Sequence, residues 1–548
     1  MLAQKNLSGM DIEIFDTSLR DGAQGEGISF SVRDKLALTA TLDELGVAWI
    51  EAGNPGSNPK DNDFFKQACQ LKLSHARLCA FGSTRKKGTK PEHDPQLASL
   101  LSAETEWVVF FGKSSALHVR EILKASLNEN LDMIAETTAY LVRKGRHVIY
   151  DAEHFFDGMN EDKDYALKTL RAAFDAGAER LVLCDTNGGS FPGVIAKGVK
   201  TVLSCLPPPQ TALVGIHAHN DMGLALACSF AAIDSGCNHV QGTLLGFGER
   251  CGNTPLAALI PSLELKLNRR CLPEGRLSRL SLLARRAAEI ANISLHDDMP
   301  YIGSHAFSHK AGMHADAVLK SSISFEHVDP VLVGNERRIL MSEQGGRGAI
   351  AARLAGVWRR QSPGGGAELT AGNLPLTKDA PEIAEIARRI KTLEAEGWQF
   401  EGADASFLIL AHKVLGTYIS RFTILAYRVT TEHPAAEALE CSYAWVKVLV
   451  DGRTEIAAAE GDGPVNALDA ALRRSLLGFF PELIRVRLSD YKVRVIDGKE
   501  ATAAKVRVLI ESTDGEAVWT TVGVSEDIID ASRAALVDSI EYKLGHIV

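Results

Sequence analysis

The chain has 548 residues, 45% hydrophobic and 24% charged, with a formal net charge of −9. That length exceeds one ordinary domain and supplies ample core, and the acidic balance argues against nucleic acid as the main partner. The opening Met1-Leu2-Ala3-Gln4-Lys5-Asn6 lacks an apolar signal core, and no run of about 18 apolar residues follows that could span a bilayer. A cytoplasmic protein with no membrane partner is expected. Nine cysteines are scattered without a Cys-x-x-Cys pair, which points to reduced thiols rather than disulfides or zinc clusters.

In chain order, short apolar and β-branched runs alternate with stretches of helical periodicity. The runs are Ile12 to Phe15, Val47 to Glu51, Arg77 to Phe81, Trp107 to Phe111, His147 to Tyr150, Leu181 to Cys184, Leu213 to His217 and His239 to Leu244. Amphipathic segments lie between them, among them Val32 to Leu45, Leu131 to Lys144, Tyr165 to Ala176 and Leu224 to Ser235. Eight such units in about 250 residues predict a (β/α)8 TIM barrel, assigned to residues 1–275. No Gly-x-Gly-x-x-Gly turn follows the first strand, as an open doubly wound sheet would use.

Polar residues follow the strand runs, at the rim where such barrels build their sites. Phe15-Asp16-Thr17-Ser18-Leu19-Arg20-Asp21 and His217-Ala218-His219-Asn220-Asp221 are the most informative of these. Strand side chains alternate with period two, so His217 and His219 share a face. With Asp21 they predict a divalent-metal site that leaves positions open for a chelating substrate, and Arg20 places fixed positive charge beside it. Glu51, Glu153, Asp185, Thr186 and Glu249 to Asn253 fall on the same rim.

Residues 276–415 are predicted to form helical linker and lid subdomains. Leu277 to Ala291 and Pro381 to Glu396 are helical, and residues 361–379, with Ser-Pro-Gly-Gly-Gly, form a flexible insertion. Three histidines between Gly303 and Asp316 suggest either a polar loop or a lid that delivers an acid or base. From residue 416 to 548 a strand-rich pattern occurs twice. Phe422 to Val429, Ser442 to Val450 and Thr454 to Glu460 precede a helix at Val465 to Leu476, and Tyr491 to Ile496, Lys505 to Ser512 and Ala517 to Val522 precede one at Ile528 to Leu544. Asp or Ser residues are available to cap both helices. Two βββα units of an α+β domain without catalytic clusters point to ligand sensing and dimerisation.

With those residues in view, the chain resembles the acyltransferases that join acetyl-CoA to a 2-oxo acid by Claisen condensation, the 2-isopropylmalate, homocitrate and citramalate synthases. Asp16 to Gly22, His217 to Asp221, Gly248 to Asn253 and His309 to Asp316 carry the match. Glu51 to Asp61, Phe81 to Arg85 and Tyr150 to Gly158 look most like the citramalate branch. The resemblance implies condensation of acetyl-CoA with pyruvate and water to citramalate and CoA, in isoleucine biosynthesis. It implies metal ligands Asp21, His217 and His219, with Asn253 near or in the coordination shell, and Mn²⁺, Mg²⁺, Zn²⁺ or Co²⁺ as the ion. Arg20 would stabilise the developing alkoxide, Thr186 bind the substrate carboxylate, Glu153 serve a catalytic or orienting role and His314 do acid/base work. Gly334 to Leu340 offers no counterpart to the tyrosine that assists in related enzymes. A homodimer and an amino-acid effector at the C-terminal regulatory domain complete the expectation. The alternatives are a larger 2-oxo acid, a metal-dependent retro-aldol or retro-Claisen lyase on the same barrel, and an amino-acid sensor with a decayed barrel.

Overall fold

Strands covered on both faces read as continuous apolar runs, and here they form a closed parallel sheet. In the computed structural model, β1 (Glu13–Asp16), β2 (Trp49–Glu51), β3 (Arg77–Ser83), β4 (Trp107–Lys113), β5 (His147–Glu153), β6 (Arg180–Asp185), β7 (Val214–Ala218) and β8 (His239–Gly242) pair in sequence order. β8 then pairs with β1, with Glu13 opposite His239 and Asp16 opposite Gly242. The structure describes residues 11–206, 214–309, 314, 317–318, 320–339, 347–348, 350–351, 353–354, 370–371, 374–375, 377–432, 441–496, 504–515 and 517–545. The predicted insertion at 361–379 therefore lies largely outside the described residues. The chain divides into two units, Met1–Phe307 with His327–Arg337 and Ser308–Glu326 with Arg338–Val548.

In the first unit, helices α1 (Val32–Leu45), α2 (Pro59–Ala68), α3 (Pro95–Ser102), α4 (Leu127–Arg143), α5 (Phe155–Glu161), α6 (Lys163–Asp175), α7 (Pro192–Cys205), α8 (Ala225–Asp234), α9 (Leu256–Lys266) and α10 (Leu280–Ala291) surround the barrel. The bounds of α1 show why sequence reading works there. Ser31 accepts from the Asp34 amide while Asp34 accepts from the Ser31 amide, a capping box worth about 1 kcal/mol. Gly46 ends the helix at φ 94°, a conformation that costs glycine little. Strand alternation then builds two cores. Phe15, Trp49, Phe81, Trp107 and Ile149 fill the barrel interior, whereas Ile14, Ile50 and Val108 face the helices.

Several strand ends differ from expectation by two or three residues, and those of β5 and β8 bear most on the site. β5 continues past Tyr150 through Asp151, Ala152 and Glu153, because these residues pair with Phe111, Gly112 and Lys113 of β4. β8 stops at Gly242, since Thr243 donates its amide to the Thr254 carbonyl (3.1 Å) and accepts from Gly246 (3.1 Å), turning the chain.

At the opposite end of the barrel, Arg180 binds Glu13 through two hydrogen bonds (3.0 and 2.9 Å) and His239 Nδ1 adds a third (3.1 Å). Burial opposes ionisation of Glu13, but the bonds from His239 and Arg180 hold its pKa down at about 2 against an ordinary 4.5. Burial also lowers the His239 pKa. A depressed carboxyl stabilises the fold fully above its unfolded pKa and loses that contribution as pH falls through the folded one. Glu13→Gln should therefore cost about 2 kcal/mol at neutral pH, discounted for partial exposure, and flatten the acid limb between pH 4.5 and 2. Urea unfolding at stepped pH checks this, and a variant whose midpoint tracks the wild type down the whole acid limb would contradict it.

In the second unit, α11 (Pro381–Ala395) and α12 (Asp404–Leu415) precede two antiparallel sheets. β9 (Thr423–Glu432), β10 (Cys441–Val450) and β11 (Arg453–Gly461) carry α13 (Pro464–Leu476), and β12 (Arg487–Val495), β13 (Val506–Thr513) and β14 (Val518–Ser525) carry α14 (Ile528–Gly545). These are the two expected βββα units. Their repeat extends to detail: the first strand of each shifts register, between Ile424 and Ala426 and between Leu488 and Asp490. Each third strand also ends near a glycine with no room for a side chain. A Cβ on Gly461 would lie 2.4 Å from the Ala467 nitrogen, and one on Gly523 2.0 Å from the Ala531 oxygen. The capping expectation holds for one helix. Asp527 accepts from the Ile529 amide (2.6 Å) ahead of α14, whereas α13 starts at Pro464 without a side-chain cap. No helix among the described residues is long and apolar enough to cross a membrane.

Candidate active site

The turn after β1 is set by Asp16, whose carboxyl accepts from the Ser18 amide (2.8 Å) and hydroxyl (3.1 Å). Ser18 Oγ in turn accepts from the Leu244 amide (3.0 Å), tying this turn to the chain beyond β8. The constrained loop presents Arg20 and Asp21 at the rim. Arg20 Nε donates to Glu51 Oε2 (2.6 Å), Nη1 donates to Asp21 Oδ2 (2.9 Å), and the guanidinium lies 3.9 Å from the Phe81 ring centre. Glu51, fully buried at the end of β2, also accepts from Thr17 Oγ1 (2.5 Å). Three contacts thus leave Arg20 little rotational freedom.

From β7, His217 and the next alternate residue, His219, point at Asp21. Their Nε2 atoms lie 3.3 Å apart, and 3.6 and 3.9 Å from Asp21 Oδ2. All three side chains are buried, and one ligand atom from each falls within 4.8 Å of the others. His219 forms an isolated bridge with Asn253, whose Nδ2 donates to Asp21 Oδ1 (3.0 Å). The Asn253 Oδ1 is buried with no hydrogen-bond partner among the described residues. Gly248 gives this group room: a Cβ there would lie 2.2 Å from Asn253 Nδ2 and 3.3 Å from Asp21 Oδ1.

Protonation states suit ligation. Burial works against ionisation of Asp21, but Arg20 and the two histidines outweigh it and hold the carboxyl below the usual range. Burial pushes His217 down to about 3 and lowers His219 too, so both rings are neutral with lone pairs to offer. Two imidazole nitrogens, an ionised carboxylate and an orphaned amide oxygen form a mixed N/O donor set that fits a divalent cation.

The other expected site residues lie further round. Glu153, at the end of β5, forms an ion pair with Lys113 of β4. Thr186, just past β6, accepts the His154 amide at its hydroxyl (2.8 Å) and the Arg250 guanidinium at its carbonyl (2.8 Å). His314 belongs to the second unit, where it is exposed and stacks on Phe325 at 4.1 Å. Nearby His309 meets the buried Glu326 at 3.1 Å.

Two residues of the barrel interior escape the sequence reading, Asp151 on β5 and Gln241 on β8. Gln241 is fully buried between His217 Nδ1 (2.9 Å) and Asp151 Oδ1 (3.1 Å). Burial, reinforced by the charge on Glu51, drives the Asp151 carboxyl well above its ordinary pKa. Period two within β5 and β8 is the signal that finds both: Ile149, Asp151 and Glu153 share one face, as do His239 and Gln241.

Residues 11–281 match the HMGL-like family, 301–358 the homocitrate synthase post-HMGL domain-like family and 401–544 the LeuA allosteric (dimerisation) domain. The (R)-citramalate synthase of Geobacter sulfurreducens is 45% identical over 533 residues, covering 97% of this chain and 97% of its own. The chain belongs to the citramalate synthase family. The (R)-citramalate synthase of Aquifex aeolicus is 46% identical over 97% of this chain and 98% of its own. The 2-isopropylmalate synthase of Methanocaldococcus jannaschii is more distant, 29% identical over 98% of this chain and 96% of its own.

Proposed function

We propose that the protein condenses acetyl-CoA with pyruvate and water to give citramalate and free CoA. The observation that carries this reading is full-length identity of 45 and 46% to (R)-citramalate synthases, against 29% to a 2-isopropylmalate synthase. The site chemistry agrees. A divalent cation held by Asp21, His217 and His219, with Asn253 beside it, would polarise the ketone of the 2-oxo acid toward attack.

The protein's own groups supply the rest. Arg20 is anchored by Glu51 and Asp21, and its remaining N–H groups stabilise the oxygen that becomes the alkoxide. Because Thr186 Oγ accepts from the His154 amide, its own proton is available to the substrate carboxylate. Glu153, ion-paired with Lys113, is the carboxylate we assign to orientation of the acetyl group or its proton transfer. His314 is assigned acid/base work on the acetyl group or the water that cleaves the thioester. The LeuA allosteric (dimerisation) domain supports a homodimer with an allosteric site; to that site we assign a feedback amino acid, and to the enzyme a cytoplasmic place in isoleucine biosynthesis.

The test is CoA release from acetyl-CoA, followed with a thiol reagent, with Mn²⁺ and with pyruvate, 2-oxobutyrate, 2-oxoisovalerate or 2-oxoglutarate offered separately. Pyruvate should give the highest kcat/KM. One methylene is worth only about 1–3 kcal/mol, so 2-oxobutyrate should follow 10- to 200-fold lower. Preference for 2-oxoisovalerate or 2-oxoglutarate would keep the chemistry and overturn the substrate, and no release with any acid would overturn the condensation itself.

A further inference from the structure

Strand register places Gln241 of β8 opposite His217 of β7. Its carbonyl oxygen lies 2.9 Å from His217 Nδ1, and its amide nitrogen lies 3.1 Å from Asp151 Oδ1, across the barrel interior. An amide has one accepting end and one donating end. The Asp151 oxygen takes the donating end, which leaves the carbonyl for the imidazole. Facing a carbonyl, Nδ1 carries the proton, and the neutral ring then presents its lone pair at Nε2. That nitrogen is the one 3.6 Å from Asp21 Oδ2 and 3.3 Å from His219 Nε2.

We infer that Gln241, itself oriented by Asp151, is a positioning residue that locks His217 in its Nδ1–H tautomer and so prepares Nε2 as a cation ligand. This rests on the reading of Asp21, His217 and His219 as the cation site. The two imidazoles differ in this respect. His219 Nδ1 is buried and meets no hydrogen-bond partner among the described residues, so no group behind that ring plays the part Gln241 plays for His217. His217 is the preset ligand and His219 the adaptable one.

The polarity of the chain from Asp151 through Gln241 to His217 yields a test that a packing role would not pass. Gln241→Met keeps the volume and removes the acceptor. It should weaken Mn²⁺ binding, measured by calorimetry on chelator-stripped protein, by about 10- to 100-fold. Gln241→Glu restores an acceptor for Nδ1–H, so its affinity should stay within about threefold of the wild type. In metal-free protein labelled with ¹⁵N-histidine, one imidazole should appear as a fixed Nδ1–H form in the wild type and become a tautomer mixture in Gln241→Met. Circular dichroism confirms that the variants fold, and Asp151→Leu, which frees the amide to flip, should reproduce the mixture if Gln241→Met does not fold. No Mn²⁺ uptake by the wild type, or uptake unchanged in Asp21→Ala, would remove the cation site and this role with it. Wild-type uptake that Gln241→Met leaves intact, with an unchanged ¹⁵N spectrum, would overturn the inference alone.

Discussion

Replacing Asp21 with alanine should lower the rate of CoA release by at least about 10³-fold, while the thermal midpoint moves by only a few degrees. The carboxylate serves four partners: it faces both histidine Nε2 atoms, accepts from Arg20 at 2.9 Å and accepts from Asn253 at 3.0 Å. Its loss removes the only anionic member of the proposed cation site, so uptake should fail as well. The fold survives for a local reason. His217 and His219 are held neutral by burial and need no counter-charge, and Arg20 keeps its shorter bond to Glu51. Initial rates at saturating Mn²⁺, set beside calorimetric unfolding, decide the matter. A variant within tenfold of the wild type would show that Asp21 does not hold the ion.

Arg20→Met should have the second largest effect, a loss of about 10²- to 10³-fold in kcat with a smaller change in KM. Arg20→Lys should not rescue it. One ammonium cannot bridge Glu51 and Asp21 and still reach a substrate oxygen, whereas the planar fork, already bonded to both carboxylates, has N–H groups left for the proposed third contact. The methionine variant also changes stability in a direction that pH reveals. Glu51 is fully buried and burial already raises its pKa, with the Arg20 charge acting in opposition. Without Arg20 that pKa rises further. An acid whose folded pKa lies above its unfolded value binds more protons folded than unfolded, so stability falls as pH rises past the unfolded value. The gap between Arg20→Met and the wild type should therefore widen from about pH 5 to pH 8 and approach about 3–5 kcal/mol, the cost of stranding one member of a buried ion pair. Thermal midpoints across that range measure it, and a constant gap would show that Glu51 is not the group responsible.

How far the fold can be read from the residues depends on whether they sit where local rules govern. The bounds of α1 follow from Ser31, Asp34 and Gly46, all local signals. The paired βββα units follow from alternation in half-covered antiparallel strands. In the barrel, strands buried on both faces lose that alternation, and a polar residue pointing inward resembles the end of a strand. This is why Asp151 reads as a loop residue although β5 runs two residues beyond it. Gln241 lies inside the predicted run His239 to Leu244, where a single polar residue does not stand out from a strand that ends at Gly242. α12 is passed over because its residues are apolar nearly all round, with Phe407, Leu408 and Ile409 all buried, so no stripe marks it as a helix. Of the site, Arg20, Asp21, His217 and His219 were legible because short polar motifs after strands stand out. Asp151 and Gln241 were not, and Glu51 was placed on the rim without its role, since all three matter only through neighbours remote in sequence.

The ring of strands also orders events in time. β8 lies between β7 and β1, and closing it joins residues 226 positions apart, such as Glu13 and His239. Pairings of such separation carry the largest loop-closure cost and form slowly. Until that seam shuts, Asp21 and the two imidazoles sit at opposite ends of the barrel's sequence, whose helices rest on local contacts. A refolding population would therefore regain its helical signal first and its chemistry last, and thermal opening of the same seam would silence the protein before it looked unfolded.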